Sequence, residues 1–188
     1  MEIRMSTANK ITIFRIILVP VFMCLLLIDS TACKMWALAV FILASVSDWA
    51  DGYIARHCNQ VTNFGKFMDP IADKLLTMAA YLALLETGRI TWVGSAAIML
   101  IFLREMMVSG LRMIAGTNGN VIAASMFGKI KTVAQMVTII AAIVMTNDKW
   151  FIQEPAILVT NIIVWISVVF TLLSGIDYLW KNKEVFKG

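Results

Sequence analysis

Four aspartates carry the chemistry in this sequence: Asp48, Asp51, Asp69 and Asp73, set in otherwise apolar stretches. A carboxylate near hydrocarbon costs several kcal/mol unless it is paired, hydrated or metal-bound, and four together repel one another. On a helix, Asp48, Asp51, Gly52, Ala55 and Arg56 fall at i, i+3, i+4, i+7 and i+8, one stripe. Asp69 and Asp73 are one turn apart, with Gly65 one turn before them. A short connection, Arg56 to Lys66, makes the two helices antiparallel neighbours, so two carboxylates from each can face one another. Oxygen donors without histidine or thiolate select hard cations: magnesium, manganese or calcium. Two ions sharing four carboxylates balance the charge, and a metal pair about 3.5–4 Å apart is a recurrent device of phosphoryl chemistry. Gly52, Ala55 and Gly65 let a ligand approach the backbone closely, and Arg56 is placed to hold a phosphate. With His57 the single histidine, a Ser-His-Asp triad is not expected, and Cys24, Cys33 and Cys58 have neither disulfide-framework nor zinc spacing.

The elements that position these groups follow from composition. Of 188 residues, 60% are apolar and 15% charged, against about 45–50% and about 25% in a soluble domain. The bilayer is the natural solvent. Apolar runs near the 20 residues a span needs occupy 11–28, 34–54, 67–86, 91–114, 126–145 and 156–180. The expectation is an all-α integral membrane protein: one six-helix bundle over 1–188, with 1–10 along the interface. The net charge of +4 is assigned to anionic headgroups and loop bias rather than to nucleic acid. Basic residues concentrate before the first span, between the second and third, between the fourth and fifth, and after the sixth. Both termini are therefore expected in the cytoplasm, and the aspartates at cytoplasmic span ends. The first 33 residues imitate a secretory signal, but Ser30 and Asp29 spoil the approach to Cys33, and the segment is read as a retained helix capped by Ser6, Thr7 or Asn9.

Asp48-Trp-Ala-Asp51-Gly52-Tyr-Ile-Ala55-Arg56, then eight residues to Gly65, three to Asp69 and three to Asp73, resembles the full signature of the CDP-alcohol phosphotransferases at every defined position. Asn9…Thr12…Arg15, Arg104-Glu105, Ser109-Gly-Leu-Arg112 and Gly128-Lys129-Ile-Lys131-Thr132 extend the likeness over nearly the whole chain, towards the phosphatidylglycerophosphate-forming branch. The resemblance implies six transmembrane helices, a homodimer in the bacterial plasma (inner) membrane, and a cytoplasm-facing site. It implies two divalent ions, Mg²⁺ or Mn²⁺, held by Asp48, Asp51, Asp69 and Asp73, with Asp73 as general base. It also assigns the CDP moiety to Asp48, Asp51, Gly52, Ala55, Arg56, Gly65 and Asp69.

The reaction so implied takes the phosphatidyl group from CDP-diacylglycerol to sn-glycerol 3-phosphate. The acceptor's phosphate calls for cations, and Arg112, Lys129, Lys131, Arg15 and Arg104 are the candidates, since an intramembrane arginine faces an interior or a cavity. Arg104 could instead pair with Glu105, and Arg15 with the helix start. Another acceptor (inositol phosphate, inositol or serine) and a divalent-cation transporter remain alternatives. His57 is expected in a solvated loop, Asp177 hydrated, the tryptophans at the interfaces, and the methionines facing lipid or filling gaps.

Overall fold

A computed structural model describes residues 7–57, 63–117, 126–145, 147 and 152–182, which form six α-helices and, among the described residues, no strand. They are α1 (Thr7–Leu27), α2 (Thr31–His57), α3 (Asn63–Glu86), α4 (Trp92–Thr117), α5 (Met126–Met145) and α6 (Gln153–Lys181). The chain divides into two compact units, Met1–Leu84 and Leu85–Gly188.

In the first unit α1 and α2 form a hairpin whose register is set by one stripe on each helix. The buried residues of α1 are Asn9, Thr12, Arg15, Val19, Phe22 and Leu26; those of α2 are Lys34, Ala37, Phe41 and Ala44. Both run at steps of three or four, the mark of a single helical face. Asp48 is the next position on the α2 stripe. Asp29, in the connection, pairs with Lys34 at 2.7 Å; between the helices, Phe22 and Phe41 have ring centres 5.7 Å apart and Arg15 meets Asp48 at 2.5 Å. Each pair descends one helix as it climbs the other, so the two are antiparallel. Ser30 opens α2 by accepting the Lys34 backbone N–H at 2.9 Å. Ala72, Leu76, Ala79, Ala80, Tyr81, Ala83 and Leu84 form the buried face of α3.

The second unit is organised on α6, which packs against both α4 and α5. Contacts Thr91–Asn161, Arg104–Ser174 and Arg112–Tyr178 keep a nearly constant offset along the chain, so α4 and α6 run parallel. Asn161 Oδ1 accepts from both the backbone N–H (3.2 Å) and the hydroxyl (3.0 Å) of Thr91, tying the start of α4 to α6. Gly94 allows this crossing, since a Cβ there would lie 2.0 Å from Ile90 Cγ2 and 2.8 Å from Asn161 Oδ1. Gly94→Ala is expected to cost about 1–3 kcal/mol through overpacking. That lowers the apparent melting temperature in detergent by about 2–4 °C per kcal/mol; an unchanged melting curve would refute the crowding. At Gly88, φ is +69°, the left-handed turn after α3 that glycine adopts without steric cost.

Among the described residues, five stretches are long and apolar enough to cross a membrane: Asn9–Leu27, Thr31–Asp48, Gly94–Arg112, Met126–Met145 and Glu154–Lys181. Their outward positions are apolar, as lipid requires: Met99, Val133, Leu158, Ile176 and Trp180 are all exposed. The expected 126–145 coincides with α5, while α2 runs past 54 to His57 and α3 begins at Asn63 rather than 67. Polar residues end an apolar run without ending a helix. His57 is thus the last residue of α2, not a loop residue, and Asn9 lies inside α1, which starts at Thr7, so it is not the cap. Ser6, Cys58 and most of the connection after α2 lie outside the described residues, and Asp177 is ion-paired to Lys181 at 2.7 Å.

Candidate active site

The carboxylate motif lies entirely in the first unit. Asp48, Asp51, Gly52, Ala55 and Arg56 belong to α2, and Gly65, Asp69 and Asp73 to α3, so each half of the motif rides on one continuous helix with the expected turn spacing. The side chains of Asp51, Ala55, Arg56 and Asp69 are outside the described set; those of Asp48 and Asp73 are within it, both partly exposed. Asp48 accepts from Arg15 Nη1 at 2.5 Å; the arginine side chain is 0% exposed and the aspartate 37%. The guanidinium thus grips the carboxylate from the α1 side, while the carboxylate keeps an accessible face. At Asp73 the helix is fastened through its main chain: the Thr77 hydroxyl lies 3.3 Å from the Asp73 carbonyl and 3.2 Å from that of Lys74. An anionic oxygen donor with an open face, held from behind by a buried cation, suits a hard divalent ion.

Of the candidate acceptor-phosphate cations, Arg15 is accounted for in this first unit by Asp48. Arg104, Arg112, Lys129 and Lys131 belong to the second. There Lys131 is buried and hydrogen-bonds to Glu105, whose Oε1 also lies 3.6 Å from Arg104 Nη1. Arg104 is buried too, and its Nη2 donates to Ser174 Oγ at 2.7 Å. Arg112 is exposed; its guanidinium lies 5.3 Å from the Tyr178 ring centre, and its Nε donates to the tyrosine oxygen at 3.2 Å. Gln135 reaches Thr171 at 3.4 Å. Lys129, on α5, is exposed. Two buried cations, Arg104 and Lys131, thus converge on the Glu105 carboxylate.

Sequence reasoning missed Thr171, Ser174, Gly175 and Tyr178 as parts of this interior. A signal for them existed: Thr160, Ser167, Thr171, Ser174 and Tyr178 are polar positions at helical spacing inside an apolar run, and all are buried.

With the carboxylate helices and the cation-rich interior described, the chain can be set beside known proteins. Residues 5–173 match the family model of the CDP-alcohol phosphatidyltransferases. The chain belongs to this family. Among its curated relatives is the CDP-diacylglycerol–glycerol-3-phosphate 3-phosphatidyltransferase of Bacillus subtilis, 39% identical over 95% of this chain and 96% of the relative. Enzymes of the same name from Rickettsia prowazekii (36% identical, 99% of this chain and 100% of the relative) and Haemophilus influenzae (36%, 95% and 91%) are similarly close.

Proposed function

We propose that this protein transfers the phosphatidyl group of CDP-diacylglycerol to sn-glycerol 3-phosphate, giving phosphatidylglycerol phosphate and CMP. The reading rests on the complete carboxylate motif in a chain similar, over nearly its whole length, to enzymes named for that reaction. The choice of a phosphorylated acceptor is supported by the buried cation cluster in which Arg104 and Lys131 converge on Glu105. A neutral acceptor such as serine or inositol would need no such cluster.

In this reading the donor's acyl chains stay in the bilayer. Asp48, Asp51, Gly52, Ala55, Arg56, Gly65 and Asp69 take the CDP group at the boundary, the two small glycines admitting the diphosphate close to the backbone. Two divalent ions, Mg²⁺ or Mn²⁺, held by Asp48, Asp51, Asp69 and Asp73, would neutralise the diphosphate and the charge developing on the leaving group. Arg15 keeps the Asp48 carboxylate pointed at its task. Arg104 and Lys131, with Arg112 and Lys129 nearer solvent, take the acceptor's phosphate. Asp73 accepts the proton of the attacking hydroxyl. The acceptor oxygen bonds to the lipid-side phosphorus, the bond from that phosphorus to the bridging oxygen breaks, and CMP departs with that oxygen. No covalent enzyme intermediate is needed.

The same reading adds α3 as the third of six spans, puts both termini and the site on the cytoplasmic side of a bacterial inner membrane, and has the chain as one functional domain working as a homodimer. Purified protein in mixed micelles with CDP-diacylglycerol and Mg²⁺ or Mn²⁺ is the test, offered glycerol 3-phosphate, inositol phosphate, inositol or serine in turn. CMP release is expected with glycerol 3-phosphate. Release with another alcohol only would overturn the acceptor. Cation flux into liposomes without any CMP release would overturn the enzyme in favour of a transporter.

A further inference from the structure

The second unit contains a seat for Arg104 that the roles above leave unexplained. On α6, Ser174 and Gly175 are buried side by side against the Arg104 side chain of α4. The Ser174 hydroxyl accepts from Nη2 at 2.7 Å. A Cβ on Gly175 would stand 2.9 Å from Arg104 Cγ, 3.4 Å from Nε and 3.8 Å from Cδ. The first distance is closer than carbon atoms tolerate, and it involves the stem of the side chain rather than its mobile end. The arginine therefore lies flat on the bare backbone of α6, its fork turned by the neighbouring hydroxyl. Glu105 stands 3.6 Å from Nη1, and among the described residues Nε has no hydrogen-bond partner. The guanidinium is thus fixed in direction without having all its donors consumed, the condition in which a planar fork recognises an oxyanion at least entropic cost.

We propose that Ser174 and Gly175 are positioning residues that aim Arg104 at the acceptor's phosphate, so that α6 sets the enzyme's affinity for the phosphorylated alcohol. This rests on the reading of Arg104 given above. A residue that only packs would affect both substrates alike; one that aims Arg104 acts on the acceptor alone, because uniform acceptor binding appears in KM rather than kcat.

The test is steady-state kinetics on the full chain in mixed micelles, varying CDP-diacylglycerol and glycerol 3-phosphate separately, for wild type, Gly175→Ala, Ser174→Ala, Arg104→Ala and the double variant Arg104→Ala/Gly175→Ala. Gly175→Ala is expected to raise the acceptor KM by about tenfold, and Ser174→Ala by about threefold, with the donor KM and kcat changed by less than about twofold. Ser174→Ala adds no bulk and so covers the event that Gly175→Ala fails to fold. In the Arg104→Ala background, where the crowded Cγ is gone, Gly175→Ala should change kcat/KM for the acceptor by less than about twofold, since residues acting through one group are not additive. Equal losses for both substrates, or full additivity with Arg104→Ala, would overturn the seat while leaving the reaction intact. Wild-type protein that releases no CMP with glycerol 3-phosphate would overturn the reaction and the seat together.

Discussion

Asp73→Asn is expected to reduce CMP release by about a hundredfold to ten-thousandfold, the range that a positioned general base supplies, while CDP binding persists. The substitution is nearly isosteric, and the local helix does not lean on the carboxylate: the Thr77 hydroxyl bonds to main-chain oxygens of residues 73 and 74. The remainder of the motif on α2, from Asp48 to Arg56, is untouched. Single-turnover CMP release and equilibrium binding of CMP, run on the same preparation, separate the two effects. Because an amide still offers one oxygen to a cation, raising Mg²⁺ or Mn²⁺ should not restore turnover. Recovery at high metal would make Asp73 a ligand only, and near-normal turnover would remove it from the proton-transfer role.

Arg15→Gln should also be damaging, although Arg15 lies outside the aspartate motif. Its side chain is wholly buried and spends an Nη donor on Asp48. Groups that orient a metal ligand from behind are worth about 10–100-fold in metal affinity or activity, and Mn²⁺ titration monitored by its magnetic resonance signal should show a loss of that order. Arg15→Lys keeps the charge but replaces a planar fork by a point donor, so it should recover only part of the affinity. The acceptor KM supplies the contrast. If Arg15→Gln raises that KM selectively and leaves Mn²⁺ binding intact, Arg15 serves the acceptor phosphate and its pairing with Asp48 is incidental.

How much could be foreseen differs between local and distant relations. Apolar periodicity and the turn spacing of the aspartates put Asp48 and Asp51 on one helix and Asp69 and Asp73 on the next, as α2 and α3 have them. Helix ends were less legible. Residues 55–57 and 63–66 are polar enough to leave the membrane yet remain helical, because hydropathy reports preference for lipid rather than backbone conformation. Least legible were the pairings between helices. Nothing in the local pattern brings Arg15 to a residue 33 positions away, or Arg104 to one 70 away. Periodicity identifies the face a helix buries but not the register at which it meets its partner. Arg15 shows the consequence: its type and depth marked it as a buried cation, and only the α1–α2 register assigns it to Asp48.

The charge distribution along α3 bears on how the chain is made. Lys66, Asp69, Asp73 and Lys74 crowd the first half of Asn63–Glu86, while its second half is almost wholly apolar. Each charge brought to mid-bilayer would cost about 2.5–3.5 kcal/mol, so the first half of this helix must either stay at the boundary or meet partners. In the proposed site that partner is the α1–α2 hairpin, synthesised earlier and already carrying Asp48 and its arginine. Substitutions that loosen that hairpin should therefore appear first as failed insertion and rapid degradation of the nascent protein, before any defect in a mature enzyme can be measured.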